Sequence, residues 1–437
     1  MTTQSRKIIG IALVFVGLSC NEWTLSIVFP EDGFHLAGIL EKSLGRWGFA
    51  STILIGAVDL FFLGIGLIVL KYRASSRKIL FAVSLFLASS ILSFLVAELL
   101  VRLISPPNMF SPYLALRPHN KMELHVNLAG VSTIALNTTN QWGLRGDEPP
   151  ENWNEYFTIV IIGGSTAQCY YLDDHKTWPY LLQEKVKSYI PKTWVGNGGI
   201  SGHSTRAHIL FVREAVSKIR PKAAVLMVGI NDLWYSMNDE ARILGSPAEQ
   251  TGWKYFILGN SRLVQVLFLW KIILFDHVVV LEKSANANFV PEPLDREMEL
   301  PNDLRFLLPS LDNYTKNIHT LIADLRRLNV RPVFLTQPLL FDESDRWKSV
   351  VGWEYSVGGV KGKLSAATYA KLLNIFNQEL IRTCHADSAE VFDLASEIPH
   401  SSEVFYDTMH FNEKGANIVA EKISHYLQSH RDEGGRH

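Results

Sequence analysis

Two short stretches of this chain carry the side chains of an activated serine. Near the C-terminus, Asp407-Thr-Met-His410 sets an aspartate and a histidine three residues apart. Far upstream, a strand-like apolar run over 157–162 ends in Gly163-Gly-Ser165-Thr. A serine hydroxyl is a poor nucleophile until a base takes its proton, and the base needs an acid to hold its tautomer. An aspartate and a histidine so close in sequence must share one short loop.

The elements that would position these groups begin at Tyr156, where apolar runs alternate with helical stretches. Residues 157–162, 194–195, 223–228, 332–336 and 390–392 read as strands. The longer ones are continuously apolar, as expected of a sheet covered on both faces. Helical patterns occupy 178–189, 206–219, 313–328 and 367–384, with a last one over about 414–427. Strands alternating with helices predict an α/β domain with a doubly wound parallel sheet. Ligands of such sheets bind beyond the carboxyl ends of the strands, where Ser165 falls.

Three blocks then stand at predicted strand ends and one on a terminal loop: Gly163-Gly-Ser165-Thr, Asn197-Gly-Gly-Ile-Ser-Gly202, Gly229-Ile-Asn231-Asp232 and Asp407-Thr-Met-His410. In this order they resemble the SGNH/GDSL hydrolase superfamily, named for Ser, Gly, Asn and His in those blocks. The resemblance implies a flavodoxin-like three-layer α/β/α fold with a parallel sheet over 156–430, with an insert at about 235–312. It implies Ser165 as nucleophile, His410 as base and Asp407 as its orienting acid. It further implies an oxyanion hole made by the backbone N–H groups of Ser165 and Gly202 and the Asn231 amide, with no cofactor and no metal. The chain departs from the pattern where Gly164 replaces the usual aspartate of Gly-Asp-Ser, read here as a loop variant.

Taken singly, each block has a plainer reading: a strand-to-helix turn, an Asn-Asp turn, or a helix cap beside a surface histidine. Their joint order sets those readings aside. Rival chemistries fit less well. The glycines of 196–202 miss the GxGxxG spacing by one place, and there is no GxxxxGK[ST] phosphate loop. His203 and His208 are five apart with no HExxH glutamate, and read as surface or structural histidines.

The first hundred residues have a different character. Runs 49–70 and 79–101 are apolar apart from Asp59 and Glu98 near the end of the second. Each is long enough for a transmembrane helix, which needs roughly 20 residues. A first span over 8–29 requires that Asn21 and Glu22 be tolerated. Gly17-Leu-Ser-Cys20 only faintly resembles a lipoprotein cleavage box, so an uncleaved anchor is the reading adopted. Lys71, Arg73, Arg77 and Lys78 lie between the last two runs, and Arg6 and Lys7 precede the first. The positive-inside rule then puts the N-terminus in the cytoplasm and everything after Arg102 in the periplasm or cell exterior. Asp59 and Glu98 read as a paired helix residue and an interfacial one rather than as functional sites.

The resulting organisation is a membrane anchor over 1–104, a juxtamembrane connector over 105–155 with a candidate strand at 131–136, the domain over 156–430, and a disordered tail over 431–437. Within the insert, the apolar segment 255–281 is either a helix on the membrane surface or over the site, or an ordinary buried helix. Residues 284–303 and 341–362 read as loops. The 437-residue chain has a net charge of −1 and three dispersed cysteines. The charge argues against a nucleic-acid partner, and the cysteines form neither a disulfide framework nor a zinc site. The expected function is a membrane-anchored serine ester hydrolase acting on an envelope ester, an acetylated glycan or a lipid. An O-acyltransferase with the same triad is the alternative, since both share the first half-reaction. A catalytically silent binding protein on this fold would be expected to lack a triad or oxyanion residue, and none is missing.

Overall fold

Five short strands run parallel in one sheet: β3 (Phe157–Gly163), β4 (Thr193–Asn197), β5 (Ala223–Met227), β6 (Arg331–Leu335) and β9 (Glu390–Phe392). Their spatial order is β4-β3-β5-β6-β9. In chain order this is 2-1-3-4-5, the flavodoxin-like arrangement, with its switch point between the first and third sheet strands. The computed structural model describes residues 95–96, 98–99, 114–238, 261, 308–342, 349–357 and 360–431. The chain divides into two units, 1–106 with 262–277, and 107–261 with 278–437. All elements named here belong to the second.

Alternation along the strands builds two cores. Val160, Ile162, Ala224, Leu226 and Phe334 face one way. They meet α3 (Thr205–Phe211, continued by a π-helical Val212–Val216 and a final turn Ser217–Ile219), α5 (Leu308–Arg327) and α6 (Ala366–Ala386). Ile159, Ile161, Val225, Met227, Val333 and Leu335 face the other way, against α2 (Trp178–Lys187) and α7 (Glu413–Ser429). A strand covered on both faces has no solvent side, which is why these strands read as unbroken apolar runs. Local signals set the helix starts. Thr177 caps α2, with Pro179 in its first turn, Ser365 caps α6 and Asn412 caps α7.

Three parts of the structure differ from the sequence reading. Where a strand was expected at 131–136, β2 is Ile134–Thr138, paired antiparallel with β1 (Lys121–His125), which the pattern had not marked. Residues 341–362, read as loop, contain the antiparallel pair β7 (Ser349–Val357) and β8 (Val360–Ser365). The glycines of this stretch suggest a loop, but the Val, Trp and Tyr between them suit a strand once a partner is supplied. His203 and His208 are both buried, so neither is a surface residue.

The expected spans 8–29 and 49–70 lie outside the described residues, as do Asp59, 284–303, 432–437 and, except for Ser261, the segment 255–281. Of the run 79–101, only residues 95–96 and 98–99 are described, and they are helical. Among the described residues no helix is long and apolar enough to cross a membrane.

Candidate active site

Strand β3 stops at Gly163, and Ser165 opens α1 (Ser165–Gln168), a single turn closed by Cys169 in the left-handed region at φ 53°. The turn is tight because its glycines have no side chains. A Cβ at Gly163 would stand 2.6 Å from the Ala167 Cβ and 3.0 Å from the Met227 carbonyl oxygen. Ser165 is thereby held partly exposed at the carboxyl end of the sheet.

The Asp407–His410 segment folds back on itself. Phe405 and Phe411 form an antiparallel bridge, and the Tyr406 N–H donates to the His410 carbonyl at 3.0 Å. Asp407 uses both carboxylate oxygens. Oδ1 accepts the N–H groups of Met409 (3.0 Å) and His410 (2.8 Å), while Oδ2 lies 2.7 Å from His410 Nδ1. One residue thus closes the loop and orients the ring. His410 Nε2 lies 2.7 Å from Ser165 Oγ, 245 positions away, so one imidazole joins Asp407 to the serine. Burial pushes the Asp407 carboxyl up. The His410 ring and the two backbone N–H groups outweigh it, and the net effect lies below the usual carboxylate value. Tyr406 stacks on the His410 ring at 5.6 Å and 7°. Its own hydroxyl is raised well above the usual tyrosine value, first by burial and then by Asp407.

Asn231 lies in the first turn of α4 (Ile230–Ser236), behind Gly229 at φ 114°. Its Nδ2 donates to the His203 carbonyl at 2.9 Å, and a Cβ placed on Gly164 would stand 2.3 Å from that same nitrogen. The amide is therefore wedged between the residue before the serine and the loop carrying Gly202. Asp232 holds the same loop from the next position, accepting from Thr205 N at 3.2 Å and Oγ1 at 2.5 Å. Gly202 has φ 79°, and its Cβ direction meets nothing within 4 Å, so its glycine is demanded by backbone conformation and faces open space. The Tyr235 hydroxyl donates to the Gly202 carbonyl at 3.1 Å.

All five residues expected at the site, Ser165, Gly202, Asn231, Asp407 and His410, thus lie on loops or in first helical turns at one end of the sheet, and hydrogen bonds cross-link the segments that carry them. Sequence reasoning missed the groups that brace them. Arg145 is fully buried and donates to the carbonyls of Gln168 (2.8 Å), Cys169 (2.6 Å) and Leu172 (2.9 Å), the turn just beyond the serine. Its charge is met by Asp174 Oδ1, 2.7 Å from Nη2, and Asp174 Oδ2 accepts from the N–H and hydroxyl of Thr138 on β2. Gln168 accepts from Ser201 N (2.9 Å) and Oγ (2.6 Å), and Asn197 donates to the Ala167 carbonyl (2.8 Å). Arg145 sits in the stretch Asn140-Gln-Trp-Gly-Leu-Arg-Gly146, which reads as connector because nothing local marks a buried charge. Yet its backbone pairs with Asn197, at the end of β4. Among the described residues, no group of three His, Cys, Asp or Glu side chains is placed to hold a metal.

The arrangement can take a proton from a serine hydroxyl and offers an amide donor beside it. A family model described as GDSL-like lipase/acylhydrolase matches residues 161–418. Among curated proteins none matches. A catalytic mutant of an acetylxylan esterase from Geobacillus stearothermophilus is 12% identical with TM-score 0.35, covering 62% of this chain and 93% of its own. A psychrotrophic esterase from Pseudoalteromonas sp. is 12% identical with TM-score 0.37, over 63% of this chain and 99% of its own. Likenesses this distant carry no argument about substrate.

Proposed function

This chain belongs to the GDSL-like lipase/acylhydrolase family, whose members cleave ester bonds, and from that premise we propose a membrane-anchored serine esterase acting on an envelope ester outside the cytoplasm. The observation that carries the mechanism is the placing of both ring nitrogens of His410, one 2.7 Å from Asp407 and the other 2.7 Å from Ser165.

In this reading Ser165 Oγ attacks the ester carbonyl carbon as its proton passes to His410 Nε2. Asp407 holds the Nδ1 proton and stabilises the imidazolium. The carbonyl oxygen becomes an oxyanion, met by the N–H groups of Ser165 and Gly202 and by Asn231. An amide nitrogen carries two protons; one goes to His203, and the other serves the oxyanion. Collapse breaks the ester C–O bond, the alcohol leaves with the proton from Nε2, and an acyl-serine remains. Water activated by His410 then releases the acid, while a sugar hydroxyl in its place would complete an O-acyl transfer.

Anchoring is supported by the apolar runs of the first hundred residues and by Leu95, Val96 and Leu99, which are 57%, 48% and 58% exposed. The positive-inside pattern supports a periplasmic or extracellular address, and that address supports acetylated glycan or lipid ester as substrate. A fluorophosphonate probe tests the reading: wild-type protein should be labelled and Ser165→Ala should not. Absence of labelling on well-folded wild type would leave a silent binding protein on this fold. A panel of esters of increasing acyl length, with and without a glycan acceptor, separates esterase from transferase.

A further inference from the structure

Glu413 stands three residues after His410 and opens α7. Its carboxylate accepts from the Ser132 N–H at 2.7 Å and from Lys176 Nζ at 3.0 and 2.9 Å. Lys176 Nζ also donates to Ser132 Oγ at 2.5 Å, so the three residues close a ring. The Glu413 N–H donates to the Gly130 carbonyl at 3.1 Å. A Cβ on Gly130 would stand 2.7 Å from the amide nitrogen of Asn412, the cap of α7. Burial raises the Glu413 carboxyl, but Ser132 and Lys176 outweigh it and hold it below the usual carboxylate value.

The other side of this ring belongs to the serine. Lys176 ends the single turn Asp174–Lys176, which follows the turn carrying Ser165. Strand β2 runs beside that stretch, with β1 on its other edge. The outward N–H groups of Leu136 and Thr138 need partners, and consecutive aspartates supply them, Asp173 Oδ2 at 3.0 Å and Asp174 Oδ2 at 2.8 Å. Further on, Arg145 holds the carbonyls of Gln168, Cys169 and Leu172. The segment 130–145 is thus bonded to the histidine arm at its start and to the serine arm beyond. Asp407 cannot set the distance between the arms, because it sits on the same loop as His410. Lys176 and Glu413 can, since each belongs to a different arm. A partly exposed ion pair adds little to stability; what distinguishes this one is its place.

We propose that Lys176 and Glu413 are positioning residues for the triad: with Ser132 they lock the segment carrying the serine to the segment carrying the histidine, and so set the separation of Ser165 Oγ and His410 Nε2. The inference rests on Ser165 and His410 being the catalytic pair of the proposed esterase.

The test uses the full-length protein with p-nitrophenyl acetate, each variant being confirmed as folded at the assay temperature by circular dichroism. A displacement of about 1 Å at a reacting group costs about 10²-fold in rate, so kcat of Glu413→Ala should fall at least tenfold with KM within about twofold of wild type. Glu413→Gln keeps an acceptor for Ser132 and Lys176 and should recover most of that loss. Lys176→Met leaves the start of α7 intact and should reproduce the fall from the other arm; it replaces Glu413→Ala if that variant does not fold. A kcat within threefold of wild type in folded Glu413→Ala or Lys176→Met overturns the proposal, as does a loss carried by KM alone. The NMR shift of His410 Nε2 reads the same contact without turnover. Ser165→Ala should move that signal in the wild-type background and leave it in place in the Glu413→Ala background. An inactive wild type that shows this pattern sinks the esterase and keeps the positioning role. A signal that Ser165→Ala moves equally in both backgrounds overturns the positioning role, whatever the activity.

Discussion

Asn231 lies so close to Gly164 that a Cβ on residue 164 would stand 2.3 Å from its amide nitrogen. The glycine that departs from the family's Gly-Asp-Ser pattern is therefore in contact with an expected oxyanion donor. Gly164→Ala should push the amide aside while leaving the Ser165–His410 bond in place. Loss of one such donor costs about 3–4 kcal/mol, or 10²–10³-fold in kcat. Steady-state kinetics on Gly164→Ala, Asn231→Ala and the double variant check this. The two substitutions should be far from additive, because both remove the same donor. Full additivity would show that Gly164 does not act through Asn231.

Asp407→Asn removes the carboxylate that orients His410, and kcat should fall about 10³–10⁴-fold. The stability effect depends on pH. A carboxyl whose folded value is depressed stabilises the protein fully above its unfolded value, near 3.8, and that share is lost as pH falls through the folded value. The Tm difference between wild type and Asp407→Asn should thus be widest near neutrality and shrink below pH 3.8. A difference that grew on acidification would contradict the sign.

His208 is a second pH-sensitive group, of opposite value to the fold. Both its ring nitrogens are buried, and burial, followed by the nearby His203, pushes its value from 6.5 down to about 3. The unfolded chain binds that proton more readily, so stability falls as pH drops below 6.5. His208→Leu should remove about 2 kcal/mol of the stability lost between pH 7.5 and 5. Urea titrations of both proteins at the two pH values measure it.

Arg145→Met leaves Asp174 buried without its cation and releases three carbonyls, and should cost about 3–5 kcal/mol. Arg145→Met/Asp174→Asn should recover part of that loss. Chemical denaturation of the variants provides the values. Recovery in the double variant distinguishes an unpaired charge from a simple packing defect.

Much of this architecture is legible locally. The longer sheet strands are written as apolar runs because both faces are covered, and the expected segments overlap all five. The Asp-x-x-His spacing is legible because one loop must hold both residues, and the observed loop uses both oxygens of Asp407 to do so. What escaped is what depends on a distant partner. β7 and β8 look like loop until they pair with each other, and β1 is unremarkable until β2 lies beside it.

Side-chain chemistry and hydrophobic periodicity are properties of neighbouring residues, so the residue types for the chemistry, their order and the parallel sheet can be read along the chain. It takes folding to bring His410 to a serine 245 positions away, to set Asn231 against Gly164 and to place Arg145 under the turn beyond the nucleophile. A buried arginine is spelled like an exposed one. What separates them is whether folding brings carbonyls and a carboxylate around the guanidinium before water is excluded.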